Sequence, residues 1–317
     1  MYSKENYRKV KDIIESRRLK AISEAEARNM EVAALSDDIR IIDGELRGVG
    51  LLLFKTACDG GDIAPIRERN LFLGEERRKA LLKLGLPEDY TEAKYTCKTC
   101  SDSGFIGTKM CKCFKEMLIT ENIRSSGMGA LIEKQSFDNF DISRYKYDDV
   151  VYTRMKENLS NAKKYAEDFE NAPTTMLFTG KTGTGKTHLS TSIAKAVIEK
   201  GYEVLYDSAQ NIVSAFETDR FKSGYGPYEP KGDKYFECDL LIIDDLGTEF
   251  VNQFTVSCLY NLINTRQNKG LHTILSTNLS PREITTKYED RIYSRIMGSG
   301  SKIFQFLGKD SRIEGMM

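Results

Sequence analysis

Polar and apolar positions follow three different rhythms along this chain. Up to about residue 55, apolar side chains recur every three or four positions: Val10, Ile13 or Ile14, then Ile39, Ile42, Leu46, Val49 and Leu53. That spacing predicts amphipathic helices with one apolar stripe. Gly44, Gly48 and Gly50 weaken the second of them by about 1 kcal/mol each relative to alanine. Such a stripe suits a small helical bundle, a surface for a partner's helices, or both. Helical patterns return over Phe114–Arg124 and Tyr152–Phe169. From residue 174 onward, continuous apolar runs alternate with helical stretches. Met176–Thr179, Glu203–Tyr206, Leu240–Ile243, Thr273–Thr277 and Lys302–Leu307 are the strand candidates. Apolar strands separated by helices predict an α/β fold, a mostly parallel five-stranded sheet covered on both faces.

Composition narrows the class. The 317 residues are 40% apolar and 30% charged, with 47 acidic and 47 basic side chains. The balance gives no global argument for nucleic-acid binding, so any such surface must be local. No apolar run reaches the ~18 residues needed to span a bilayer, and the N-terminus lacks the apolar stretch of a signal peptide. The expectation is a cytoplasmic protein that does not engage a membrane. Seven cysteines, an odd number, fit reduced thiols and metal ligation better than a disulfide framework.

Gly180-Lys181-Thr182-Gly183-Thr184-Gly185-Lys186-Thr187 matches G-x-x-x-x-G-K-[ST] at every position. An apolar strand precedes it, and a helical pattern runs on through His188. Strand, loop and helix in that order let backbone N–H groups surround phosphates at a positive helix terminus. Lys186 is expected to reach the β- and γ-phosphates of a nucleoside triphosphate, with the Thr187 hydroxyl on Mg²⁺. Leu240-Leu241-Ile242-Ile243-Asp244-Asp245 ends a buried strand in two carboxylates. Asp244 is expected to hold Mg²⁺ and Asp245 to polarise the attacking water.

The strand ending Asp244-Asp245-Leu246-Gly247, the loop ending Gly185-Lys186-Thr187-His188-Leu189, and Ser276-Thr277-Asn278 together resemble AAA+ ATPases. More narrowly they are similar to the DnaC/DnaI bacterial helicase loaders and the related IstB transposition helpers. The likeness is close over residues 135 to 317 and looser in the front third. It implies an AAA+ core, nucleotide contacts from residues 180–188, and ATP hydrolysis with Mg²⁺. Asn278 takes the place of sensor 1, which orients water near the γ-phosphate. Asp290-Arg291-Ile292-Tyr293-Ser294-Arg295 resembles the segment that offers an arginine finger to a neighbouring subunit, with Arg295 favoured over Arg291. Arg312 falls where loaders carry sensor 2; five residues follow it, so the usual helical lid is expected to be absent. Most AAA+ proteins have Glu where Asp245 stands, which points to slow hydrolysis. A finger acting in trans implies an ATP-dependent homo-oligomer.

Cys97-x2-Cys100 and Cys111-x-Cys113 place four thiols between residues 97 and 113. Thiolates so spaced can close a tetrahedral Zn²⁺ site. The second pair is tighter than the usual knuckle, so a non-cysteine fourth ligand, a redox pair or plain thiols stay open. DnaI-type loaders carry a zinc module before the ATPase, which favours zinc. Phe221, Lys222, Tyr225 and Tyr228 lie in a Gly/Pro loop that interleaves aromatic rings with lysines. Such a loop can stack bases of single-stranded DNA or pack locally.

The expected organisation is therefore a helical helicase-docking region over 1–130 with a zinc module at about 95–115, a linker or lead-in helix over 131–173, and the ATPase core over 174–317. The resemblance implies an ATP-switched loader of a DnaB-type replicative helicase onto single-stranded DNA. An IstB-like transposition helper is the alternative, and a P-loop small-molecule kinase lies further off, since no substrate pocket or lid is evident.

Overall fold

The computed structural model describes residues 3–221, 230–298 and 300–310. The chain folds as two compact units, one spanning Lys9–Lys115 and the other formed by the remainder.

In the first unit, α1 (Lys4–Leu35), α2 (Asp37–Cys58) and α3 (Ala64–Lys83) are followed by a short hairpin of β1 (Phe105–Ile106) and β2 (Lys109–Met110). Ser36 caps α2 by accepting from the Ile39 N–H, which satisfies one of the first-turn amides. Val10, Ile14 and Ile39 are buried, whereas Ile13 is exposed. Val32, Ile39 and Leu81 form a core where the three helices meet. Arg77 joins the helices, pairing with Asp43 Oδ1 at 2.6 Å, Asn29 Oδ1 at 2.6 Å and Thr91 Oγ1 at 2.7 Å.

α4 (Lys112–Ser125) begins in the first unit and runs on from Glu116 in the second, where α5 (Leu131–Lys134) and α6 (Asp149–Glu167) follow. Then come β3 (Thr175–Gly180), α7 (Lys186–Glu199), β4 (Val204–Ser208), α8 (Ala209–Phe221) and β5 (Leu240–Leu246). It closes with α9 (Gln253–Asn268), β6 (His272–Thr277), α10 (Pro281–Met297) and β7 (Ser301–Phe306). The sheet order is β4-β5-β6-β3-β7, and every pairing in it is parallel. All five strand candidates became strands.

Successive strand residues face opposite layers. Met176, Phe178, Leu240, Ile242, Ile274, Phe304 and Phe306 point to the side covered by α6 and α7. Leu177, Leu241, Ile243 and Leu275 point to the side covered by α8, α9 and α10. Both faces are dry, which is why the strands read as unbroken apolar runs.

The break between units falls at 115/116, upstream of the expected 130. Met128, Ile132, Phe140, Tyr145, Met155 and Tyr165 share the core that holds Met176 and Phe178. Residues 131–173 are thus packed against the sheet instead of linking two domains. Among the described residues, no helix is long and apolar enough to cross a membrane.

Candidate functional site

β3 ends at Gly180, and the loop returns to α7 with Gly185 as its N-cap in the left-handed region. Gly180 sits at φ 153°, and a Cβ there would lie 2.2 Å from the Phe306 carbonyl oxygen, so only glycine fits. The first-turn amides of α7 have no acceptor within their own helix, which makes this end electropositive. Lys186 is buried. Its ammonium donates to Gly180 O at 2.7 Å, Lys181 O at 2.9 Å and Asn278 Oδ1 at 2.7 Å. Asn278, at the end of β6, therefore meets the loop lysine directly.

β5 delivers Asp244 to the same place. Its register against β6 shifts between Ile243 and Leu246, and Asp245 takes φ 52°. The irregularity separates two adjacent carboxylates: Asp244 is buried, while Asp245 is exposed. Asp244 Oδ1 accepts from Ser276 Oγ at 2.5 Å and from the Asp245 N–H at 3.0 Å. Its Oδ2 accepts from the Tyr206 hydroxyl and lies 3.4 Å from Thr187 Oγ1. A hydroxyl and a carboxylate side by side are the hard oxygen donors Mg²⁺ prefers, so these residues fit that ion.

Thr182, Gly183, Gly185, Lys186, Thr187, Asp244, Asp245 and Asn278 line one cavity of about 750 Å³. Residues 131–145 form its other wall. Tyr145 donates to Thr184 O at 3.1 Å, and burial raises its phenol to about 12. His188 Nε2 faces Ser136 O at 3.1 Å and Asn139 Oδ1 at 3.0 Å. Burial lowers the His188 pKa, favouring the neutral ring.

Tyr206, Ser276, Phe140, Tyr145 and Gln135 were not foreseen. Tyr206 was visible only as the last residue of a strand candidate, and Ser276 only as part of a motif. Glu249 is a further buried carboxylate near β5, but it accepts from the Gly247 N–H at 2.9 Å and from Tyr288. It does not line the cavity.

The two candidate finger arginines lie outside this cavity. Both are exposed on α10, while Ile292 and Ile296 are buried on its other side. Arg291 pairs with Glu289 at 3.1 Å and stands over the Tyr260 ring. Phe221 is exposed at the end of α8. Lys222, Tyr225, Tyr228 and Arg312 lie outside the described residues.

In the first unit the Sγ atoms of Cys97, Cys100, Cys111 and Cys113 all lie within 4.8 Å of one another. Cys97 to Cys111 is 3.9 Å and Cys100 to Cys113 is 3.6 Å. Zn–S bonds of about 2.3 Å at tetrahedral angles require S···S separations of about 3.8 Å. The four thiols fit zinc without a non-cysteine ligand. Asp102 braces the first knuckle, accepting from the Thr96 N–H at 2.7 Å and the Cys97 N–H at 2.8 Å. Gly104 lets the second approach, since a Cβ there would lie 2.5 Å from the Phe114 ring.

Residues 122–297 match the profile of the family described as IstB-like ATP binding protein. Among curated proteins, the replicative helicase loader DnaC of Escherichia coli K12 is 26% identical over 203 residues, 63% of this chain and 79% of that protein. The crystal structure of the DnaC helicase loader superposes with TM-score 0.47 at 19% identity, covering 56% of this chain and 98% of the other. The DnaI crystal structure gives TM-score 0.45 at 19% identity, covering 58% and 94%.

Proposed function

This chain belongs to the IstB-like ATP binding protein family, and we propose that within it the chain works as an ATP-switched loader of a replicative helicase onto single-stranded DNA. The observation that carries the proposal is the match to the DnaC loader across 79% of that relative. The convergence of Lys186, Thr187, Asp244 and Asn278 on one cavity supports it.

Lys186 and the α7 amides hold the triphosphate, and Lys186 exchanges its loop-carbonyl and Asn278 partners for phosphate oxygens. Thr187 and Asp244 hold Mg²⁺, which when bound neutralises phosphate charge. Tyr206 and Ser276 keep the Asp244 carboxylate aimed. Asp245, exposed at the rim, orients the attacking water, and Asn278 turns its amide toward the same region. Arg295 serves a neighbouring protomer's nucleotide, so ATP joins protomers and hydrolysis loosens them. In the first unit, Cys97, Cys100, Cys111 and Cys113 hold a structural zinc, and the helices dock the helicase. Phe221 and the segment after it contact DNA.

Loading of the host's replicative helicase onto circular single-stranded DNA tests this. The full chain with ATP should increase helicase on DNA, and Lys186→Ala should not. Equal helicase on DNA with and without the chain contradicts the reading. The match to the IstB-like family leaves a second reading, the IstB-like transposition helper; capture of a transposase in place of the helicase would select it.

A further inference from the structure

β5 ends in a turn fastened at successive backbone groups. Asp245 takes φ 52° and Gly247 φ 109°, and a Cβ on Gly247 would lie 2.7 Å from Leu279 Cδ1. The Asp245 N–H donates to Asp244 Oδ1 at 3.0 Å. The Asp245 carbonyl accepts from the Thr248 N–H at 3.1 Å and from the Thr248 hydroxyl at 2.9 Å. Thr277 Oγ1 donates to Leu246 O at 2.6 Å. A non-glycine residue in the left-handed region persists only where its surroundings over-determine it.

Two charged side chains complete the fastening at Gly247. Glu249 Oε2 accepts from the Gly247 N–H at 2.9 Å, and Lys287 Nζ donates to the Gly247 carbonyl. The other Glu249 oxygen, Oε1, accepts from the Tyr288 hydroxyl. Lys287 and Tyr288 are neighbours on α10, so the turn is tied to that helix through both. Glu249 is 3% exposed and Tyr288 0%. Burying a carboxylate is unfavourable unless donors compensate it, and these two donors belong to the Asp245 turn and to α10. Directly after Tyr288, α10 departs from helical geometry at Glu289, φ 68°. Beyond that bend it carries Arg291 and Arg295. Among the described residues of the second unit, Asp245 and Glu289 are the non-glycine residues with positive φ. The bonds at Gly247, Glu249 and Tyr288 lead from one to the other.

We infer that Glu249 is a positioning residue for ATP hydrolysis: by fixing Gly247 against α10, it keeps the turn closed and the Asp245 carboxylate at the cavity rim. Glu249 does not line the cavity and acts through Asp245. The inference rests on the reading that Asp245 orients the attacking water.

Single-turnover ATP hydrolysis by the full chain with Mg²⁺, with nucleotide affinity measured alongside, tests it. Glu249→Ala should slow hydrolysis about tenfold while ATP affinity stays within about twofold, because misplacing a reacting group slows chemistry without removing ground-state contacts. Glu249→Gln should stay within about twofold of the unaltered rate, since its Oε1 can accept from Gly247 and its amide can donate to the Tyr288 oxygen. Lys287→Met, at a partly exposed position, releases the same turn from its other side and stands in if Glu249→Ala does not fold. It should slow hydrolysis about threefold at unchanged affinity. Given a slow Asp245→Ala, unaltered hydrolysis in the folded variants overturns the inference alone. So does a Glu249→Gln as slow as Glu249→Ala, or an affinity that falls in step with the rate. No hydrolysis by the unaltered chain, or an Asp245→Ala that matches it, defeats the reading beneath.

Discussion

Tyr206 donates its hydroxyl to Asp244 Oδ2, the oxygen that also lies 3.4 Å from Thr187 Oγ1. β4 and β5 pair in parallel, with Tyr206 opposite Ile242 and Ser208 opposite Asp244. The tyrosine therefore approaches the acid from the neighbouring strand. The carboxylate is oriented by its neighbours through both oxygens, because Ser276 holds the other one.

Tyr206→Phe should lower stability by about 1.5–3 kcal/mol at pH 8, the range for a hydrogen bond to a charged group. Burial, then the Asp244 charge, raises the Tyr206 pKa. Burial raises those of Tyr235 and Tyr288 as well. A phenol whose pKa is higher folded than unfolded stabilises fully below the unfolded value of about 10 and loses that contribution above it. Urea unfolding across pH 8 to 11 should show stability falling above about 10, less steeply for Tyr206→Phe. An identical slope in both proteins would remove Tyr206 from the account.

The chain has two histidines, and burial lowers the pKa of both His188 and His272. A histidine with a depressed folded pKa binds fewer protons folded than unfolded. Its contribution is complete above the unfolded value of about 6.5 and is lost as pH falls through the folded one. Proton-detected titration should place both imidazoles below about 6.5, with stability declining in the same window. Either ring titrating above that value contradicts its buried environment.

Arg295 is exposed and outside its own chain's cavity. Protein carrying Arg295→Ala and protein carrying Lys186→Ala should each be nearly inactive as ATPases. Mixed, they should regain activity at sites where an intact Lys186 faces an intact Arg295 from a neighbour. A finger of this kind contributes roughly 10³–10⁵ in turnover where it acts. Co-assembly without recovery would exclude action between chains.

The four clustered thiols predict one zinc per purified chain by elemental analysis. Cys100→Ser should abolish it and lower the melting temperature, as chelation should in the unaltered protein. Structural zinc can contribute about 10–16 kcal/mol in small modules. Retained metal in Cys100→Ser, or metal-free protein with an unchanged melting temperature, would count against the site.

Much of the ATPase core was legible because burial on both sheet faces forces unbroken apolar runs, as in Leu240–Ile243, and the glycine spacing of 180–187 has few other uses. The apolar stripe through Ile39, Ile42, Leu46, Val49 and Leu53 likewise marks the less exposed side of α2. The roles of Tyr206 and Ser276 were hidden, since only the sheet order brings β4 and β6 to either side of Asp244. Gln135, Phe140 and Tyr145 belong to a segment read as a lead-in. No local periodicity reports that this segment folds back over the phosphate loop. The buried Arg266 was hidden too: it hydrogen-bonds Thr273, Tyr235, Cys238 and His272, all through neutral acceptors. Helical spacing marks a position on a face, but not which charged side chain that face encloses.

Titration calorimetry of the full chain with ATP, with and without Mg²⁺, tests the account most directly. It predicts saturable, magnesium-dependent binding to one site per chain, weakened at least about 100-fold (about 2.7 kcal/mol) by Lys186→Ala and markedly by Asp244→Asn. Natively folded protein that takes up no nucleotide, or binds it equally well without Lys186, would contradict it.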